Sequence, residues 1–181
     1  MQWLIVVAAI LMVVSPVMWL KPSPRQRRQS RLREMARQRG VEIAHREAPL
    51  HRVKDKMPAY RLRYPDEHPG PDFVLVRDSV ASAELDRYCP GWRFRIAPLR
   101  PLPASARQAL EALIAKLPED VLVVQSSAAA LTLWWWESAT AESFAPCVKE
   151  AAALRDALSG YADRPEARPP AVPGTRPRSR H

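Results

Sequence analysis

The sequence predicts an α+β protein in which an N-terminal transmembrane helix and a basic stem helix precede a small antiparallel sheet with helices on one face. Three observations predict it. Residues 3–20, WLIVVAAILMVVSPVMWL, hold no charge and are followed at once by a dense row of arginines. Between residues 41 and 97, short runs alternate apolar with polar side chains, the period of two expected of strands with one buried face. Two later segments, 103–118 and 140–160, carry apolar residues at helical spacing and flank a pair of apolar runs. The 181 residues then divide into a transmembrane anchor (1–20), a basic juxtamembrane helix (21–40), a cytoplasmic α+β domain (41–160) and a basic Pro- and Arg-rich tail (161–181) with the composition of a disordered segment.

In a helix, residues 3–20 rise about 27 Å, close to a hydrocarbon core of about 30 Å. Trp3 and Trp19 stand at the two ends, where indole rings favour the membrane interface. A cleaved signal fits less well, because no basic residue precedes the run and no small-x-small site precedes the charges. Lys21, Arg25, Arg27, Arg28, Arg31 and Arg33 follow the span. Lys and Arg beside a span stay on the cytoplasmic side, and near anionic lipid each contributes about 1 kcal/mol. The expected protein therefore crosses once, with its N-terminus outside, and touches anionic headgroups through its stem. Ser23 and Pro24 read as the cap and first position of that stem helix, and Gly40 as its end. Leu32, Met35 and Ala36 make the short apolar stripe that docks it on the domain.

In the domain, VEIAH (41–45), AYRLRY (59–64), FVLVRD (73–78) and WRFRIA (92–97) read as strands. The segment 103–118 reads as a helix with Leu110, Leu113, Ile114 and Leu117 on one face. VLVVQSS (121–127) and LTLWWWES (131–138) read as a hairpin, and 140–160 as a closing helix with Pro146 in its first turn. Alternation sends Tyr60, Leu62 and Tyr64 one way and Arg61 and Arg63 the other. It likewise opposes Trp92, Phe94 and Ile96 to Arg93 and Arg95. Leu131, Leu133 and Trp135 share a face opposite Thr132, Trp134 and Trp136. Arg61, Arg63, Arg93, Arg95, Trp134 and Trp136 are thus the candidate partner face.

Arginines interleaved with aromatics on a sheet also suit single-stranded nucleic acid, but no RNP-like motif accompanies them, and a protein contact is the favoured reading. The net charge of +9, concentrated at the two ends, favours an anionic partner. No glycine-rich phosphate loop, GxSxG or HExxH occurs, so no catalytic residue, metal ligand or cofactor is assigned and the protein reads as non-enzymatic. The loop YPDEHPGPDF gathers Asp66, Glu67, His68 and Asp72, but without a second histidine nearby it makes a weak metal site. Cys89 and Cys147 form no CxxC and read as free thiols in a reducing compartment.

Two segments carry a resemblance. WLKPSPRQRRQSRLREMARQRG (19–40) and LPEDVLVVQSSAAALTLWWWESA (117–139) resemble a largely uncharacterised family of proteobacterial inner-membrane proteins, some labelled as YajC-type preprotein translocase subunits. Those proteins share an N-terminal span, a WLxPSxRQRR-type junction and a closing LPxD…VxxS…LxLxWxE pattern. The glycine-rich strand pair of YajC proteins has no counterpart, RGVEIAHRE standing in its place. The resemblance implies an inner (cytoplasmic) membrane location and no catalytic residues. The resulting expectation is a single-pass inner-membrane protein, accessory to envelope biogenesis, whose cytoplasmic domain binds a membrane or cytoplasmic protein. A Sec translocon accessory subunit and a membrane-tethered nucleic-acid binder are the alternatives.

Overall fold

A computed structural model of the chain describes Trp3, residues 23–50 and residues 55–162. Ser23 opens helix α1 (Pro24–Gln38) with reciprocal bonds. Its Oγ accepts the Gln26 amide at 3.2 Å, and its own amide donates to Gln26 Oε1 at 2.8 Å. This box satisfies donors that helical bonding leaves over, and Pro24 lacks an amide where one would be orphaned anyway. Gly40, with φ 78°, turns the chain out of the helix. Leu32 and Ala36 are fully buried and Met35 partly, so the predicted stripe is the docking seam.

Seven strands follow in one antiparallel sheet, interrupted by two further helices. They are β1 (Glu42–Glu47), β2 (Lys56–Arg63), β3 (Phe73–Arg77), β4 (Arg87–Cys89), β5 (Trp92–Ile96), β6 (Val121–Ser126) and β7 (Ala130–Trp135). Helix α2 (Ala104–Ile114) precedes β6, and α3 (Ala141–Leu158) follows β7. The spatial order is β1-β2-β7-β6-β3-β5-β4. The short edge strand β4 has no counterpart in the sequence reading. Strand β2 also starts earlier than expected, taking in Pro58. A proline is tolerated there because β2 pairs with β1 at that position, while its pairing with β7 begins at Ala59.

The three helices among the described residues pack on one face. Tyr60, Leu62, Phe73, Leu75, Trp92, Val124, Leu131, Leu133 and Trp135 of the sheet meet Leu32, Leu110, Leu113, Phe144, Cys147 and Leu154 of the helices. Trp135 stacks on Phe144 at 4.0 Å between ring centres and meets the edge of Tyr60 at 5.3 Å. The opposite face carries a second, smaller apolar layer of Met57, Ala59, Val74, Val76, Val123 and Trp134. Ala48, Leu50, Ala81 and Leu85 from two loops pack against it.

No helix among the described residues is long and apolar enough to cross a membrane. Helix α1 carries Arg25, Arg27, Arg28, Arg31, Arg33, Glu34 and Arg37, and α2 is only 11 residues long. Helix α3 has the length but includes Glu142, Lys149, Glu150, Arg155 and Asp156. This overturns the expected fold class, a transmembrane helix ahead of a small sheet, and with it the single-pass inner-membrane localisation. The described fold is instead a seven-stranded antiparallel sheet with three helices. The anchor assignment fell on residues 1–20, which lie outside the described residues except for the exposed Trp3; residues 163–181 of the tail lie outside them too. Pro146 is also corrected: it sits in the second turn of α3, where it removes the amide that would bond the Glu142 carbonyl.

Candidate interaction surfaces

Two surfaces gather the residues singled out above, and the first is helix α1. Its C-terminal half is clamped to the domain. Arg33 donates from Nε to Glu137 Oε1 at 2.7 Å and from Nη2 to Oε2 at 2.6 Å, a two-pronged bridge onto a fully buried carboxylate. The Tyr60 hydroxyl donates to the same Oε1 at 2.9 Å, and His45 Nε2 lies 3.3 Å from Arg33 Nη2. The Glu137 carboxylate raises the Arg33 pKa, against the opposing effect of burial. Burial, with the same carboxylate, pushes the Tyr60 hydroxyl well above the usual tyrosine range.

The N-terminal half of α1 is different. Arg25, Arg27, Arg28 and Arg31 are exposed, and none forms an ion pair among the described residues. Arg27, Arg28 and Arg31 line a cleft of about 320 Å³ with Thr140, Ala141 and Glu142 at the start of α3. Thr140 caps α3 there, its Oγ1 accepting the Ser143 amide at 3.3 Å. The Glu142 carboxyl is held below the usual range by its own backbone amide, then by the Thr140 hydroxyl and Arg31. Lys21 and Trp19 lie outside the described residues.

The second surface is the helix-free face of the sheet, where most of the predicted arginines turn inward on the chain itself. Arg63 Nε bonds Glu42 Oε1 at 2.6 Å, and Arg61 stands 3.7 Å from the other oxygen. Arg93 bonds Asp78 Oδ1 at 2.9 Å and the carbonyls of Ala83 and Leu85 at 3.0 and 2.9 Å. Arg95 donates to the Pro49 carbonyl. Trp134 is only 6% exposed and donates from Nε1 to Gln125 Oε1 at 3.2 Å, whereas Trp136 is 42% exposed. The expected open Trp/Arg face is therefore corrected: loops 48–50 and 78–86 cross it, and five of its six residues are tied into them or into Glu42 and Gln125.

The acidic loop after β2 has a structural task. The His68 carbonyl accepts the Gly160 amide at 3.1 Å and the Ser159 hydroxyl at 3.3 Å, pinning the end of α3. No group of three or more metal-ligating side chains converges among the described residues. Cys89 and Cys147 are free thiols, and burial raises both pKa values. The sequence reading missed Glu137, although it closes the LxLxWxE pattern. A lone acid directly after an apolar strand was the available signal. Arg33 and Glu137 come one from each segment that carried the family resemblance, and they join those segments in the fold. No family model matches the chain, nor does any curated protein or solved structure.

Proposed function

We propose that the protein is a non-catalytic protein-binding module whose basic helix α1 docks an acidic segment of a partner. The observation that carries this reading is the contrast between its arginines. Arg33, Arg61, Arg63, Arg77, Arg93 and Arg95 are paired within the chain, while Arg25, Arg27, Arg28 and Arg31 form no ion pair among the described residues, on a helix that the Glu137 bridge ties to the domain. A pre-organised row of guanidinium groups binds carboxylates without the cost of ordering the helix first. The cleft beside the row also presents Glu142 and the Thr140 cap. A lining of mixed sign suits a protein, which brings donors as well as carboxylates, better than it suits a uniform polyphosphate.

The test uses the full chain and a fluorescent poly-glutamate peptide, with a single-stranded oligonucleotide of equal charge and anionic vesicles as comparators. Poly-glutamate binding should weaken with salt. It should also fall by about tenfold or more when Arg25, Arg27, Arg28 and Arg31 are all changed to Glu. Unchanged binding in that variant, with far-ultraviolet dichroism intact, removes α1 as the site. Tighter binding of the oligonucleotide or the vesicles replaces the protein partner with that class.

A further inference from the structure

We infer that the helix-free face of the sheet holds a second site, for a small carboxylate with an apolar body. A groove of about 310 Å³ opens over β1, β2, β7 and β6, a size in the range of small-ligand pockets. Strand register builds its floor. Arg61 lies opposite Thr132, and Thr132 opposite Gln125, so three donor side chains stand side by side on neighbouring strands. In the next row Ala59 lies opposite Trp134. Ala59 and the edge of Trp134 supply the apolar side of the groove.

The donors in that floor keep bonding capacity to spare. Thr132 is 6% exposed, lines the groove, and its hydroxyl makes no hydrogen bond among the described residues. That hydroxyl opens on the groove, where it is available to a ligand acceptor. The Trp134 indole can only donate, so the Gln125 oxygen must face it at 3.2 Å and the Gln125 amide NH2 is the free end. Arg61 is weakly compensated, because Glu42 sits 3.7 Å away and holds Arg63 more closely at 2.6 Å. Arg46, at the rim, forms no ion pair among the described residues, against one acid, Glu47. A guanidinium, an amide NH2 and a hydroxyl converging beside an indole match a carboxylate with a flat apolar body. This inference stands apart from the α1 reading and uses none of its residues.

The experiment follows Trp134 in the full chain carrying 5-fluorotryptophan, its fluorine resonance assigned with Trp134→Phe. Phenylacetate should move that resonance saturably, and its uncharged amide should not. Arg61→Gln and Thr132→Val should each weaken binding by about tenfold. Thr132→Val is close in shape and removes an unpartnered hydroxyl, so its melting temperature should not fall, which separates loss of the site from loss of the fold. A tripeptide with a free C-terminal carboxylate distinguishes the two sources of this chemistry; tighter binding than phenylacetate assigns the site to a peptide terminus. No shift with either carboxylate, equal binding of phenylacetamide, or unchanged binding in Thr132→Val overturns the inference.

Discussion

Glu137 sits at φ 58°, a left-handed backbone that costs a residue other than glycine about 1 kcal/mol. What holds it there is the buried carboxylate, which takes both prongs of Arg33 and the hydroxyl of Tyr60. Removing one partner of such a bridge leaves the other charge poorly compensated, and the loss exceeds the net worth of the pair. Because the Arg33 side chain keeps 27% of its exposure, solvent screens part of that loss. We expect Glu137→Gln to lower stability by about 1–3 kcal/mol and Tyr60→Phe by about 1 kcal/mol, read as shifts of the urea midpoint at constant slope. A midpoint unmoved in Glu137→Gln would show that the bridge contributes nothing to the fold. This bridge was not legible in the sequence for a plain reason: its partners are 104 residues apart, and charge patterning assigns a face without assigning a partner. The same limit applies to Arg93 and Arg95. Alternation put them on the correct face, but their acceptors, Asp78 and the carbonyls of Pro49, Ala83 and Leu85, lie on loops whose paths no period reveals.

At the scale of elements, legibility follows the strength of the local signal. Helix α1 was readable from cap to glycine because Ser23, Pro24, Leu32, Ala36 and Gly40 each act within one turn of their neighbours. Strand β4 was not, since three residues hold too few alternations to make a period. Pro58 hid the start of β2, because whether a proline is tolerated depends on which edge is paired, a tertiary fact. The two halves of α1 should also differ in stability. Residues from Leu32 onward are held by burial and by Arg33, whereas the turns from Arg25 to Arg28 depend on the Ser23–Gln26 box. An N-cap serine contributes about 1 kcal/mol, worth roughly fivefold in local opening. Ser23→Ala should therefore speed amide exchange by about that factor near Gln26 and leave Leu32–Gln38 and the melting temperature unchanged. Equal acceleration along all of α1 would mean that the helix opens as one unit and that its basic row is not rigidly displayed.

For the molecule as a whole, the layer arrangement was legible because Tyr60, Leu62 and Tyr64 on β2 and Leu131, Leu133 and Trp135 on β7 repeat with period two and meet helices with their own apolar stripes. The membrane part of the reading was not a property of this layered body, whose helices are too charged or too short to span a bilayer. Two tyrosines at the sheet–helix boundary give the body a pH dependence that tests this packing. Tyr64 shares a 2.8 Å hydrogen bond with Ser126, and a Cβ on Gly70 would stand 2.3 Å from its ring, so the chain closes tightly over it. Burial pushes its hydroxyl up to about 12, and pushes Tyr60 up as well. Below pH about 10 both tyrosines hold their protons whether the chain is folded or not, and they add no slope. Above it the unfolded chain releases protons that the folded chain keeps, so stability falls by about 1.4 kcal/mol per pH unit for each tyrosine. For Tyr64 the fall ends near pH 12, where the folded side chain ionises too. Urea midpoints should therefore decline more steeply from pH 10 to 11 than from 8 to 9.5, where the raised thiols of Cys89 and Cys147 already contribute. In Tyr64→Phe the starting stability is lower through loss of the Ser126 bond, but that alkaline slope should fall by about 1.4 kcal/mol per pH unit, the share of one tyrosine. A variant with the full wild-type slope would mean that Tyr64 reaches solvent, and that the layers do not close over it as described.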